Sequence, residues 1–235
     1  DYRREARAQA LFGAAFADRP DVFVPAVLPE RSADAVLTTA FSPGLRFEAL
    51  RERSSEEKDA AAATLVDVCW RSIFVLETLQ ADPHPGNFLF LPGKVVLLDF
   101  GCVRRFPAAY VAAWRDVVGA LLHGAGGLRD AIERTGMVGD PGFDFAEHEA
   151  FLRWMFAPYA QPDFRFDRPY LLAGRRFSSP TATNGRRMAV PPEFPWFARA
   201  VLGLHGSLAR LGARGDFGSR LAAAVAESPR PLPEA

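Results

Sequence analysis

Along residues 2–17, Ala8, Leu11, Phe12, Ala15 and Phe16 stand at i, i+3, i+4, i+7 and i+8, which predicts an amphipathic helix. Glu5 falls on the same inward face, and Asp18-Arg19-Pro20-Asp21 ends the helix. Residues 22–28 (VFVPAVL) and 35–41 (AVLTTAF) are rich in β-branched and aromatic residues. They predict two short strands, the second closed by Ser42-Pro43-Gly44. Ser54 followed by Glu57 is a capping box, and it starts a helix predicted to reach about Thr78. Ala62, Leu65, Val66, Cys69, Ile73 and Leu76 hold helical period there, while Trp70, Phe74 and Val75 add apolar surface on other sides. This helix should be buried along most of its length.

Two apolar runs, NFLFL and KVVLLDF, flank Pro92-Gly93 and predict a hairpin covered on both faces. After Gly101 the chain is expected to turn helical, with Pro107 in the first turn and Gly124 as the stop. A second amphipathic piece covers residues 145–157, residues 158–192 read as a long loop or mixed segment, and a last helix spans residues 193–212. His205 on that helix, flanked by Val201, Leu202, Leu208 and Ala209, reads as a satisfied core histidine. The order of elements is α+β, with helices dominating the C-terminal half.

Composition narrows the function classes. With 49% hydrophobic residues in 235, the chain can bury one large core. Lys plus Arg and Asp plus Glu both total 28, so no basic stripe advertises nucleic acid. Cys69 and Cys102 lie far apart with no metal-type spacing and read as reduced thiols of a cytoplasmic protein. No apolar run reaches the roughly 18 residues a membrane helix needs. The chain opens on Asp1, within a predicted helix, so a fragment of a longer protein is expected.

The chemistry gathers in LQADPHPGNFLFLPGKVVLLDFG, residues 79–101. Phosphoryl transfer needs oxygen ligands for magnesium and one carboxylate to orient the attacking hydroxyl. Asp82, Asn87 and Asp99 supply that set. Asp82 and Asn87 are five positions apart, as are the catalytic-loop Asp and metal-binding Asn of protein kinases, and Asp99-Phe100-Gly101 ends the hairpin as the kinase Asp-Phe-Gly does. The competing reading is a tight loop joining core strands.

ADPHPGN followed by VVLLDFG resembles the UbiB-like, or AarF-type, family of atypical protein-kinase-like proteins, whose catalytic loop reads Ala-Asp-x-His-Pro-Gly-Asn. The opening DYRREA is similar to that family's Asp-Tyr-x-x-Glu-Ala helix, and VPPEFPWFARAVLGLHGSLARLG to its C-terminal Pro-Pro-Glu helix. The resemblance implies a protein-kinase-like α+β fold. Residues 1–44 would be the remnant of the N-lobe, and residues 45–235 the helical C-lobe. It makes Asp82 the catalytic aspartate, Asn87 and Asp99 the magnesium ligands, and Glu5 the partner of a nucleotide-anchoring lysine. Thr39, Ala40 and Phe41 would be the hinge that meets adenine through backbone groups, with Phe100 and Gly101 beside the nucleotide. His84 is placed near the phosphates or in a structural role.

The implied activity is that of an atypical kinase or ATPase using ATP and magnesium. It would be linked to isoprenoid-quinone (ubiquinone) or lipid metabolism, in peripheral contact with the inner face of the membrane, and its acceptor is not identified. Several family features are missing. Neither lysine, Lys58 or Lys94, stands where the anchoring lysine should, and the Ala-rich loop and Lys-x-Gly-Gln motif are absent, so the chain as given should bind ATP poorly. Gln80 replaces a histidine that braces the loop, and Ala40 replaces an acidic residue frequent at the hinge. Arg104 and Arg105 read as a solvated loop, with contact to a phosphate or an acidic partner as the alternative. Two other functions stay open: a small-molecule phosphotransferase resembling aminoglycoside and choline kinases, and a pseudokinase-like nucleotide-binding module.

Overall fold

The apolar stripe at the start of the chain folds into α1 (Tyr2–Ala15), which buries Ala8, Phe12 and also Gln9, whose Nε2 donates to Pro25 O at 2.6 Å. The computed structural model describes residues 2–178 and 183–233. Of the two predicted strands that follow, only Val22–Phe23 (β1) joins a sheet. Pro25 has no N–H to extend the ladder, and Pro29 opens a 3₁₀ turn, Pro29–Arg31. Beyond them the segments meet at one bridge, Val27 with Thr39, flanked by Leu28 N–H to Thr38 O (2.8 Å) and Ala40 N–H to Ala26 O (2.7 Å). A short helix absent from the sequence reading, α2 (Phe47–Arg51), then buries Phe47 and Leu50.

The capping box forms as expected: Ser54 Oγ accepts from Glu57 N–H, and the Glu57 carboxylate accepts from Ser54 N–H, both at 3.3 Å. It starts α3 (Ser55–Phe74), which is buried almost throughout its second half. The helix stops short of Thr78 because Glu77 takes a positive φ of 48° and turns the chain into β2 (Thr78–Gln80). The predicted hairpin is β3 (Phe88–Leu91) and β4 (Lys94–Leu97), registered Phe88 to Leu97 and Leu91 to Lys94, with Gly93 at φ 67° in the turn. Only one side of β3 is fully covered, since Leu89 and Leu91 stay partly exposed. β1 pairs parallel to β4, giving the order β1-β4-β3. Where a helix was expected directly after Gly101, Val103–Arg105 forms β5, antiparallel to β2.

The C-terminal half is helical. It comprises α4 (Ala108–His123), stopped by left-handed Gly124, then α5 (Leu128–Arg134) and α6 (Phe145–Phe156). The segment 158–192, expected as a loop, contains β6 (Phe164–Arg165) and α7 (Arg168–Gly174); residues 179–182 lie outside the described residues. α8 (Phe194–Leu211) matches the predicted last helix, and β7 (Arg214–Gly215) then pairs with β6 before α9 (Gly218–Ala226). One aromatic cluster joins these helices. Trp70 of α3 stacks on Phe74 and Phe156, and Trp114 of α4 stacks on Phe197 of α8 at 4.2 Å.

Arg115 of α4 fastens two helix ends. Its guanidinium donates to Phe74 O at the end of α3, to Val225 O near the end of α9, and to Glu227 O at 3.2 Å. The Phe74 and Val225 carbonyls lie in the last turns of their helices, where no intrahelical donor follows. Arg115→Met should therefore lower the unfolding free energy by about 2 kcal/mol. Urea denaturation checks this, and an unchanged midpoint would mean that water satisfies the carbonyls equally well.

Candidate active site

The loop between β2 and β3 is shaped by its own side chains. His84 caps the 3₁₀ turn Pro85–Asn87, its Nδ1 accepting Gly86 N–H at 3.0 Å. A Cβ on residue 86 would lie 2.9 Å from that nitrogen, so a larger residue there would push the His84 ring off its cap. Of the two roles expected for this histidine, structural or near the phosphates, the cap bond is a structural one. Asn87 Nδ2 donates back to Asp82 O (3.1 Å) and Asp82 Oδ2 (3.2 Å), which leaves Asn87 Oδ1 as the end of the amide open to a cation.

Asp99 is held from two directions. Gly101 N–H donates to its Oδ1 at 2.8 Å, and Gln80 Nε2 donates to its backbone oxygen at 2.7 Å. Gln80 lies on β2, just before Asp82, so this bond ties the Asp82 loop to the Asp-Phe-Gly turn. The neutral amide supplies the brace expected of a histidine. Phe100 is buried against Phe12 of α1, with ring centroids 5.2 Å apart.

That packing brings Glu5 to the same turn. A Cβ built on Gly101 would lie 3.2 Å from Glu5 Oε2 and 3.3 Å from Asp99 Oδ1, so the two carboxylates converge on one glycine. Burial, and then the charge of Asp99, raise the Glu5 pKa, against a hydrogen bond from the Phe100 N–H. Two carboxylates crowding one point call for a cation. The hard oxygens of Asp99 and Asn87 suit magnesium. Among the described residues no three His, Cys, Asp or Glu side chains group as a metal site, so the fit rests on this carboxylate and amide pair.

Thr39, Ala40 and Phe41, the residues expected at the hinge, have backbone partners of their own or face outward. The Ala40 N–H is committed to Ala26 O, Thr39 bridges Val27, and Phe41 is 90% exposed. The chain that follows them joins the hairpin, where Leu45 and Phe90 exchange backbone hydrogen bonds of 2.8 and 2.9 Å.

Two features escaped the sequence reading. Arg199 of α8 donates to Asp82 Oδ1 at 2.7 Å, an ion pair across 117 positions of sequence. A cavity of about 350 Å³ also lies behind the Asp-Phe-Gly turn, lined by Glu5, Phe12, Phe100, Gly101, Arg105 and Leu232. Nothing local in the sequence announces either; the arginine could have been sought only as a charge on the polar side of the last helix.

The family model for the ABC1 atypical kinase-like domain matches residues 1–124. The chain is 35% identical over 126 residues to atypical kinase coq-8, mitochondrial, of Caenorhabditis elegans, covering 50% of this chain and 16% of that protein. It is 33% identical over 120 residues to atypical kinase COQ8, mitochondrial, of Saccharomyces cerevisiae, covering 50% and 24%. The match therefore spans a quarter or less of these relatives' length. A solved structure, the complex of Rv3197 and erythromycin from Mycobacterium tuberculosis, aligns with a TM-score of 0.73 at 24% identity, over 94% of this chain and 56% of its own. That likeness, with the family match, makes the fold kinase-like α+β, as the sequence reading expected. The chain belongs to the ABC1 atypical kinase-like family, which is the UbiB-like family its motifs resemble.

Proposed function

We propose that the whole protein transfers the γ-phosphoryl group of magnesium-bound ATP to an acceptor hydroxyl, or to water, at Asp82. The observation that carries this reading is the bond from Gln80 Nε2 to Asp99 O, because it makes one unit of the Asp82–Asn87 pair and the Asp-Phe-Gly turn. A pseudokinase-like module would not need that coupling.

Asn87 Oδ1 and the Asp99 carboxylate would hold magnesium, which neutralises charge on the phosphates when bound. Asp82 orients the acceptor hydroxyl and takes its proton as the new P–O bond forms and the bond to the β–γ bridging oxygen breaks, releasing ADP. Glu5 is assigned to the lysine that anchors the nucleotide. Phe100 and Gly101 border the nucleotide, and adenine would meet the backbone of Thr39 and Phe41, since the Ala40 N–H is occupied. Residues 1–44 then serve as part of the N-lobe and residues 45–235 as the C-lobe.

The same proposal includes the link to isoprenoid-quinone or lipid metabolism and peripheral contact with a membrane from the cytoplasmic side. The relatives above are mitochondrial by name. Among the described residues no helix is long and apolar enough to cross a membrane. Asp99→Asn in the whole protein should weaken magnesium-dependent ATP binding by roughly 10–100-fold. Calorimetric titration with and without magnesium tests this, and equal affinity in both proteins would sink the assignment of Asp99 as a metal ligand.

A further inference from the structure

On α8, Trp196, Arg199 and Gly203 are spaced i, i+3 and i+7 and share one face. That face sits on the catalytic loop. Arg199 reaches Asp82 Oδ1, and a Cβ at residue 203 would lie 2.5 Å from Pro83 Cγ, so only glycine lets the helix come this close. Beside Arg199, the half-buried Trp196 ring carries the guanidinium of Arg104 at 4.3 Å. Arg104 belongs to β5, directly after the Asp-Phe-Gly turn. One face of α8 thus carries Arg104 of a distant strand on its indole and, one turn further on, Arg199 bonded to Asp82, where the sequence suggested a solvated loop for Arg104.

Asp82 divides this region into two sides. Its Oδ2 faces Asn87 and thus the proposed metal, whereas its Oδ1 faces Arg199. The nucleotide belongs to the first side, so the second is left for the acceptor. Arg199 is 51% exposed and uses one of its five N–H groups on Asp82. Arg104 gives one N–H to Val103 O and has no acidic partner among the described residues. Arg53, Arg153 and Arg214 are each paired with an acid, Glu57, Glu149 and Asp163, whereas Arg104 lies over an indole instead. An arginine without an acid, beside a second whose fork is mostly free, is the arrangement that recognises phosphate or carboxylate.

We infer that the acceptor is an alcohol carrying an anionic group, phosphate or carboxylate, held by Arg199 and Arg104 across the face of Trp196 with its hydroxyl at Asp82. This rests on the proposed phosphoryl transfer for its meaning, but the anion site can be tested without nucleotide. A soluble ester and a lipid headgroup offer the same chemistry, so both are probed.

The experiment follows the indole N–H resonance of Trp196 in the ¹⁵N-labelled chain, assigned through Trp196→Phe. Glycerol 3-phosphate should shift it and glycerol should not. Vesicles containing phosphatidylglycerol, compared with pure phosphatidylcholine, provide the lipid arm; a response in that arm alone assigns the headgroup as the source. Arg104→Gln and Arg199→Lys should each weaken binding by roughly tenfold, the loss of one charge-assisted contact. Asp82→Asn should tighten it, because the neutral amide no longer offsets the charge of Arg199 or repels an incoming anion. Arg104→Gln removes only a bond to a neighbouring backbone oxygen and the contact with Trp196, so it remains informative should the Arg199 variant unfold. An unmoved Trp196 signal in both arms, or equal affinity in Arg104→Gln and the parent, overturns the inference. Anion binding in a protein that never hydrolyses ATP would retain this site and remove the catalytic reading; catalysis without anion binding would do the reverse.

Discussion

Asp82→Asn in the whole protein will slow phosphoryl transfer by roughly 10²–10⁴-fold, the usual contribution of a positioned base. Nucleotide affinity should change little, because the nucleotide side of the site is assigned to Asn87 and Asp99. The carboxylate has two attachments, Asn87 on Oδ2 and Arg199 on Oδ1, and the Asp82 backbone oxygen also accepts from Asn87. An asparagine is of the same size and still accepts from Arg199, yet it cannot take a proton from an acceptor hydroxyl. Single-turnover kinetics beside equilibrium ATP binding separate the two effects. A rate within threefold of the parent would show that Asp82 is not the base, and a large loss of ATP affinity would place it on the nucleotide side.

Acid will destabilise the fold steeply through two buried histidines. His205 lies between two tyrosine hydroxyls, Tyr159 at 2.8 Å from Nε2 and Tyr170 at 2.9 Å from Nδ1, and burial pushes its pKa down to about 3. This is the satisfied core histidine that the sequence suggested. His148 of α6 packs between Phe143 and Phe151, and burial pushes it down to about 4, with Glu147 opposing. Its Nε2 has no hydrogen-bond partner among the described residues. In both cases the folded pKa lies below the unfolded value of 6.5. The stabilisation is therefore complete above pH 6.5 and is lost as pH falls towards the folded values.

The unfolded chain takes up two protons that the folded one refuses, which costs about 2.7 kcal/mol per pH unit and roughly 5 kcal/mol by pH 4.5. Urea unfolding at pH 7.5, 6, 5 and 4.5 measures that slope. His148→Phe, which keeps an aromatic ring in an aromatic slot, should halve it. An identical slope in this variant would mean that His148 is already protonated in the folded protein.

What could be read in advance depended on how far apart the interacting residues stand. The Ser54–Glu57 box, the Gly93 turn and the Gly124 stop each involve residues within a few positions, and all formed where expected. The helix of residues 2–17 and that of residues 193–212 were legible because a face with helical period needs only some core to bury it. Short elements were not legible. β2 and β5, of three residues each, carry no period, and Pro25 ended a strand that composition alone would have extended.

The candidate site divides in the same way. By itself the sequence determined the family, the kinase-like fold and the Asp82, Asn87 and Asp99 pattern, since spacing along a loop and a hairpin is a local property. Only the tertiary structure decided that Gln80 braces Asp99, that Glu5 meets Asp99 over Gly101, and that Arg199 holds Asp82. These pairs are separated by 19, 94 and 117 positions, and no propensity encodes them. They exist because burying the aromatic faces of α1, α3 and α8 in one core places the polar sides of α1 and α8 around one loop.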